Sequence, residues 1–333
     1  MLGMLGVMAL RRGSRVEAGT VAAALACLAL PVQAQDYPVR NVTIIVPFPA
    51  GGGADLFARI IGQQLTTLFG KTFIVDNRAG AGGNIGANAV ARAAPDGLTL
   101  LYSTSGLASS PAVSVKLPFN AEKDLQAVTM TLSIPQVLVV HPALPVRNAA
   151  QFNDLARSKP GAIAYGADVG SAGHFAMEML GLSTGTRRFQ VPYKGVAPVV
   201  TALISGEVQS AFLVIPVVKP HLSSGRMRAL GVSSRKRAMV MPDIPTLQEQ
   251  GVTGFEALQW HGFFVPAHTP MHVIDRLHSA IVQALKNDDV KSKAVAEGSE
   301  IVSSSPRDFS RFFQQEVGRY KDVAKRVGIS PLD

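Results

Sequence analysis

Apolar residues in this chain change their spacing repeatedly, and each change marks a new element. Val42, Ile44 and Ile45 form a short apolar run, which predicts a strand. Pro47 and Pro49 follow, remove backbone donors and end the ladder. The spacing then turns helical, with Leu56, Ile60, Ile61, Leu65 and Leu68 on one face. Further strands are predicted at 72–76 and 98–103, with a helix over 84–94 between them. An extended apolar segment lies at 137–141. A second series begins with a helix over 150–157 and a strand at 162–165. A helix over 174–182 and a strand at 189–192 come next, then a helix over 197–205 and strands at 208–214 and 228–233. The chain is extended again from 254 to 266. Helical stretches at 271–286, 290–297 and 306–327 close it. No repeat of fixed period and no low-complexity tract breaks the pattern.

Alternating strands and helices predict an α/β fold with mostly parallel sheets. The extended connections near 137–141 and 255–265 flank the middle block. They suggest two lobes joined by crossing strands, with the C-terminal helices returning to the first lobe. The boundaries read as 35–137 plus 262–333 for one lobe and 138–261 for the other. Ligands bind open α/β sheets at the carboxyl ends of the strands. The turns at 47–55, 103–106 and 166–174 are therefore expected around one cleft, on lobes able to hinge shut.

The glycines of these turns carry the first chemical signal. Gly51, Gly52 and Gly53 let the chain turn tightly and leave its N–H groups uncovered at a helix start, where anions are attracted. A Walker loop would need Gly-Lys-Ser/Thr directly after its spacer, and none follows. A dinucleotide fingerprint fails as well, because counting G-x-G-x-x-G from Gly51 puts Leu56 at the last glycine. The run from Gly80 to Gly86 misses the same spacing by one residue. A nucleotide cofactor is thereby disfavoured and no cofactor is expected. A plain strand-to-helix turn accounts for either run equally well.

The N-terminus changes the cellular picture. Arg11, Arg12 and Arg15 lead an apolar stretch at 21–30, and Val32-Gln33-Ala34 fits a small-x-small cleavage site. Residues 1–34 read as a signal peptide, the mature chain as starting at Gln35, and the product as periplasmic. Cys27 is the only cysteine, so the mature chain would have no disulfide and no thiolate nucleophile. About 300 residues then suffice for two α/β domains with a sizeable core. The formal charge is +9. Its lysines and arginines are scattered, and the densest cluster, Arg235-Lys236-Arg237, has no interleaved aromatics. Nucleic acid is disfavoured, and weak steering of small anions fits better.

Few side chains suggest catalysis. Asp55 sits in the first helical turn, where it either caps the helix or orders the loop while the amides face the ligand. Ser103, Thr104 and Ser105 offer hydroxyls past a strand, and Ser171 with the amides of 170–173 offers a second helix start. Each alone also reads as turn chemistry. His268 and His272 are four apart, but Pro270 stands between them and no carboxylate lies at ligand spacing, so no metal is expected. No serine stands in G-x-S-x-G, so no catalytic residue is assigned. His174 follows the 166–173 loop and either caps its helix or touches the ligand.

Together the segments PFPAGGGAD at 47–55, VDNRAGAGGNIGANAVARAAPDGLTLL at 75–101, VPYKG at 191–195, MPDIPTLQEQG at 241–251 and GFFVPAHTP at 262–270 resemble the Bug-type substrate-binding proteins of tripartite tricarboxylate transporters. The resemblance runs from about residue 37 to 330. It implies a two-lobed periplasmic-binding-protein fold of type II and a monomeric receptor that performs no chemistry. Such a receptor passes a small carboxylate to transporter subunits in the membrane. Carried over residue by residue, the ligand site would comprise Phe48, Ala50, Gly51, Gly52 and Asp55, the turn Ser103 and Ser105, the loop Gly170, Ser171, Ala172, Gly173 and His174, and Tyr193 with Lys194. The sequence departs from the family's pattern at 170–173, at Leu213-Val214 and at His261, and the first two departures predict a distal pocket less polar than a tricarboxylate needs. A sensor for a membrane signalling partner and an exported hydrolase are the alternatives. Trp260, the sole tryptophan, lies in an expected crossing strand, so its fluorescence should report closure.

Overall fold

The computed structural model describes residues 37–329, and the leader read at 1–34 lies outside the described residues. The chain opens with β1 (Val42–Val46), α1 (Gly53–Phe69) and β2 (Phe73–Asn77). A short 3-10 turn leads into α2 (Asn84–Ala91), followed by β3 (Thr99–Thr104), α3 (Gly106–Val113), α4 (Ala121–Asp124) and the long β4 (Leu125–Val140). The second series comprises α5 (Ala149–Ser158), β5 (Ala164–Asp168), α6 (Ala172–Thr184), β6 (Phe189–Tyr193), α7 (Val196–Ser205), β7 (Ser210–Val214), α8 (Ile215–Ser223) and β8 (Arg228–Val232). After β9 (Leu258–Pro266) come α9 (Met271–Ala284), α10 (Asp288–Ala296), β10 (Glu300–Ile301) and α11 (Pro306–Val327).

The strands form one continuous path in the order β2-β1-β3-β9-β4-β7-β5-β6, with β8 and β10 also paired to β4. Parallel pairing joins β1 to β2 and β3, and β5 to β6 and β7. The middle is antiparallel, because β9 and β4 cross it against their neighbours. The sheet is therefore mixed, with the expected parallel character confined to the outer part of each lobe. The segment expected at 137–141 is the end of a much longer strand. The N-terminal part of β4 pairs with β9, and its last residues pair with β7 and β8. One strand thus belongs to both lobes. Register shifts near Ala127/Thr129, Met130/Leu132 and Leu138/Val139 bend it on the way.

Two hydrophobic clusters are described, and the larger runs across the expected lobe boundary, from Ile45 and Leu101 to Phe175 and Phe212. Val137, Val139, Leu203, Ala211 and Val232 belong to one. The other centres on aromatic residues: the Trp260 ring meets Phe309, Phe312 and Phe313 edge-on, at centroid distances of 5.5, 5.9 and 6.1 Å. The phenylalanines come from α11, which starts where Ser305 accepts from the Asp308 amide and Pro306 fills the first turn. The C-terminal helix α11 is held to β9 by this ring cluster. No helix among the described residues is long and apolar enough to cross a membrane.

Candidate functional site

Six elements end or begin at the same place. Gly52 and Gly53 at α1, Gly83 and Asn84 at α2, Ser105 and Gly106 at α3, Ser171 and Ala172 at α6, Gly195 at α7 and Val214 at α8 all line one cleft of about 1310 Å³. Each is a helix N-terminus, where unsatisfied N–H groups and the helix dipole favour negative charge. Lys116 and Lys194 also line the cleft, and no arginine is on its described wall.

The first glycine turn is tied down from behind. Asp55 is buried, and its Oδ2 accepts from the Gly51 amide at 2.9 Å and from Arg59 Nε at 3.1 Å. Its Oδ1 accepts from Asn77 Nδ2 at 2.9 Å and pairs with Arg59 Nη2 at 2.9 Å. Asn77 also donates to the Phe48 carbonyl at 3.1 Å, which fixes the loop's other end. Burial acts to raise the Asp55 pKa, but Arg59, the Gly51 amide and Asn77 outweigh it and hold the carboxyl below its ordinary value. Gly51 has φ +88°, which a residue with a Cβ would adopt only under strain. Its amide is occupied by Asp55, whereas no side chain caps α1. The amides that remain for a ligand are those of Gly52, Gly53 and Ala54.

The second loop repeats the device with another side chain. Gly170, at φ +82°, donates its amide to His174 Nδ1 at 3.2 Å. Four residues separate the pair, as they separate Gly51 from Asp55. Accepting that bond leaves the imidazole proton on Nε2, and burial pushes the ring's pKa down to about 4, so it is neutral at pH 7. Ser171 accepts from the His174 amide at 3.2 Å and caps α6, with its hydroxyl proton free to donate.

The structure brings Phe48, Gly52, Ser105, Gly170, Ser171, Ala172, Tyr193 and Lys194 to the cleft wall. Asp55 and His174 lie behind it as supports for the two loops. Ala50 and Gly51 are both exposed outside the wall. Ser103 is buried within β3 opposite Gly262, and Gly173 is packed so closely that a Cβ there would meet the Phe212 carbonyl at 2.6 Å. Tyr193 donates its hydroxyl to Glu207 at 2.8 Å. Ser105 is held by its amide on the Trp260 carbonyl at 3.0 Å, and its hydroxyl meets that of Tyr320.

Other residues on the wall are not among those expected to hold the ligand, and His261 and Val214 are marked in the sequence only as departures from the family's pattern. Ser109 and Ser110 project from α3, where Ser110 donates to Asn84 Oδ1 at 2.7 Å. His261 and Gln259 project from β9, with Gln259 Nε2 3.1 Å from His261 Nε2. Burial pushes the His261 pKa down to about 3, so it too is neutral at pH 7. Asp168, at the end of β5, is a carboxylate inside the cleft. Val113, Ile134, Val214, Pro216 and Val217 belong to the apolar part of the wall. The period-2 pattern of β9 offered a signal for Gln259 and His261 together. Nothing in the sequence marked Asp168.

Two lobes joined by crossing strands, with helix N-termini gathered at the strand ends between them, define a solute-binding receptor of the two-lobed class. The family model for "Tripartite tricarboxylate transporter family receptor" matches residues 57–329. Protein BugT of Bordetella pertussis is 35% identical over 308 residues, which cover 92% of this chain and 94% of that one. The chain belongs to this family of Bug-type receptors. Among solved structures, R. palustris Rpa4515 with adipate has a TM-score of 0.78 at 34% identity and covers 89% of this chain and 100% of its own. MatC from Rhodopseudomonas palustris with bound malate has a TM-score of 0.74 at 30% identity, covering 86% and 100%.

Proposed function

We propose that this protein is a periplasmic receptor that captures a small carboxylate in the cleft and hands it to a tripartite tricarboxylate-type transporter in the membrane. The observation that carries this reading is the gathering of helix N-termini, all but the Ser171-capped α6 without a side-chain cap, on one cleft whose described wall holds no arginine. Partial charges spread over several amides bind an anion at less desolvation cost than a buried counter-charge. The relatives bound to adipate and to malate support a carboxylate as the solute. The leader read at 1–34 supports export.

In this reading the ligand carboxylate meets the amides of Gly52, Gly53 and Ala54 on one side and Ala172 on the other. Ser105 and Ser171 add hydroxyls, and Asp55 and His174 hold the loops. Phe48 and Tyr193 supply apolar wall. The protein acts as a monomer and performs no chemistry. Residues 35–137 with 262–333 move against 138–261, and the ligand favours the closed form because it binds that form better. Native mass spectrometry of gently purified protein should find a retained small acid, and calorimetry with short mono- and dicarboxylates should show one-to-one binding. A protein that retains nothing and gives no heat with any of them would refute the reading.

A further inference from the structure

One charge in the cleft is of the wrong sign for an anion site. Asp168 is half-buried at the end of β5, three residues before the loop whose amides face the cleft. The Ser171 amide donates to its carbonyl at 3.0 Å, so the side chain belongs to the same turn as the α6 N-terminus. Burial acts to raise its pKa, and the amides of Gly195 and Val169 act against that rise without cancelling it. Gly195 is the N-cap of α7. The Gly195 amide at the α7 start thus acts on a carboxylate of the protein itself.

The cleft's other acid differs. Glu297 is paired with Lys293 at 3.2 Å. Asp168 has no ion pair among the described residues, and the exposed Lys194 nearby does not reach it. A carboxylate has room for about four hydrogen bonds, and the Gly195 and Val169 amides leave part of that capacity directed at the cleft. The cleft is therefore two-signed. Donors are offered by α1, α3 and α6, and an unpaired acceptor by Asp168. A second carboxylate on the solute would face like charge there, which costs binding, whereas an ammonium or amide would find a partner.

We propose that Asp168 is the specificity-determining residue of the cleft, and that the preferred solute is a carboxylate whose other end carries a hydrogen-bond donor, an ammonium or a primary amide. This rests on the receptor reading above and narrows it. The test is calorimetry on the full chain with two matched pairs of probes, 4-aminobutyrate against glutarate and succinamate against succinate. The wild type should bind the donor-ended member of each pair about tenfold more tightly or better. Asp168→Asn should erase that preference for 4-aminobutyrate, because Asn keeps an acceptor but loses the charge. Should Asp168→Asn fail to fold, the wild-type ratios decide alone. Tighter or equal binding of the dicarboxylates by the wild type overturns this proposal and leaves the receptor reading standing. An unchanged ratio in folded Asp168→Asn overturns it as well. Binding of none of the four probes and of no short monocarboxylate overturns both.

Discussion

The two glycine loops are built alike at the level of single residues, and their anchors titrate differently. In each, a positive-φ glycine gives its amide to the side chain four residues on, Asp55 in one and His174 in the other. The amides left for an anion are those of Gly52, Gly53 and Ala54 in the first loop and Ala172 in the second, since the Ser171 amide is held by the Asp168 carbonyl, and Gly53 allows this to be tested cleanly. It is the first residue of α1, where proline is favoured, and Gly52 before it has φ −80° and ψ 170°, the region proline demands of its predecessor. A Cβ at 53 meets nothing within 4 Å. Gly53→Pro should therefore delete one cleft amide with little strain and weaken carboxylate binding roughly tenfold or more, the worth of a hydrogen bond to a charged group. Gly53→Ala should bind as the wild type does, and equal affinities for the two variants by calorimetry would dismiss the amide. The anchors also set a pH dependence. His174 and His261 are buried neutral, with folded pKa values near 4 and near 3 against an ordinary 6.5. The unfolded chain thus binds protons first as acid is added, and stability should begin to fall below about pH 6.5 and keep falling toward the lowered values. Asp55, whose pKa is lowered, contributes stability that is present above its ordinary 3.8 and lost as pH drops through the folded value. Urea midpoints followed from pH 7.5 to 4.5 should decline in the wild type. The slope should be smaller in a His261→Gln variant, and a flat profile would contradict the assignment.

The crossing strands determine, at the scale of elements, what the sequence could and could not show. β1, β2, α1 and α11 were legible because each buries one face: Leu65 and Ile61 of α1 pack inward, and α11 carries its cap, its proline and its terminal Gly328 in order. The helix α3 was not read at all. Leu107, Ala108, Ser109, Ser110, Ala112 and Val113 are all buried, so no polar stripe reveals a period, and Pro111 lies inside it. The same masking hid Ser109 and Ser110 as cleft residues. α8 was missed for a related reason, since Pro216 and Pro220 speak against a helix that packing nevertheless imposes. The length of β4 was hidden because its first part and its last part pair with different sheets. The glycine turns were legible as anion sites, but which amides are free was not. That depends on Asp55 and His174 pointing back at the loops, a matter of side-chain direction. Two substitutions probe the crossing itself. Ser233 accepts from the Gln136 amide at 2.9 Å and donates to the Ala257 carbonyl at 2.6 Å, joining the end of β8 to β4 and to the approach of β9. Ser233→Ala should leave both backbone groups short of a partner and cost about 1–3 kcal/mol in urea unfolding. Gly262 faces Phe309 so closely that a Cβ would collide with its ring and approach the Thr129 carbonyl to 3.0 Å. Gly262→Ala should push α11 off the strand and cost about 1–3 kcal/mol or more. Were either variant as stable as the wild type, these contacts would not be what holds the crossing.

Closure of the whole molecule is the property that matters for delivery, and the placement of Trp260 bears on how it can be seen. The sequence suggested that this tryptophan would report closure. Its ring is instead 1% exposed and enclosed by Phe309, Phe312 and Phe313 of α11. Its emission should stay nearly unshifted on ligand addition, and a large shift would mean that this aromatic core itself rearranges. One contact across the proposed lobe division lies at the cleft itself. Ser109 of α3 donates to the Gly170 carbonyl at 2.6 Å, and a Cβ at Gly170 would meet Val113 at 2.9 Å. These residues come from opposite sides of the proposed lobe division, so the bond exists only while the lobes are together. Interactions made only in the closed state act mainly on release. Ser109→Ala removes one neutral hydrogen bond worth about 1 kcal/mol, which corresponds to roughly a fivefold faster dissociation with association left nearly unchanged. A reporter is needed that Trp260 cannot supply, and Lys116, exposed on the cleft wall, is a site where tryptophan can be placed without burying it. Stopped-flow emission from Lys116→Trp, with and without Ser109→Ala, measures both rates. Unchanged release in the double variant would mean that the α3 contact is a bystander and that closure is held by the ligand alone.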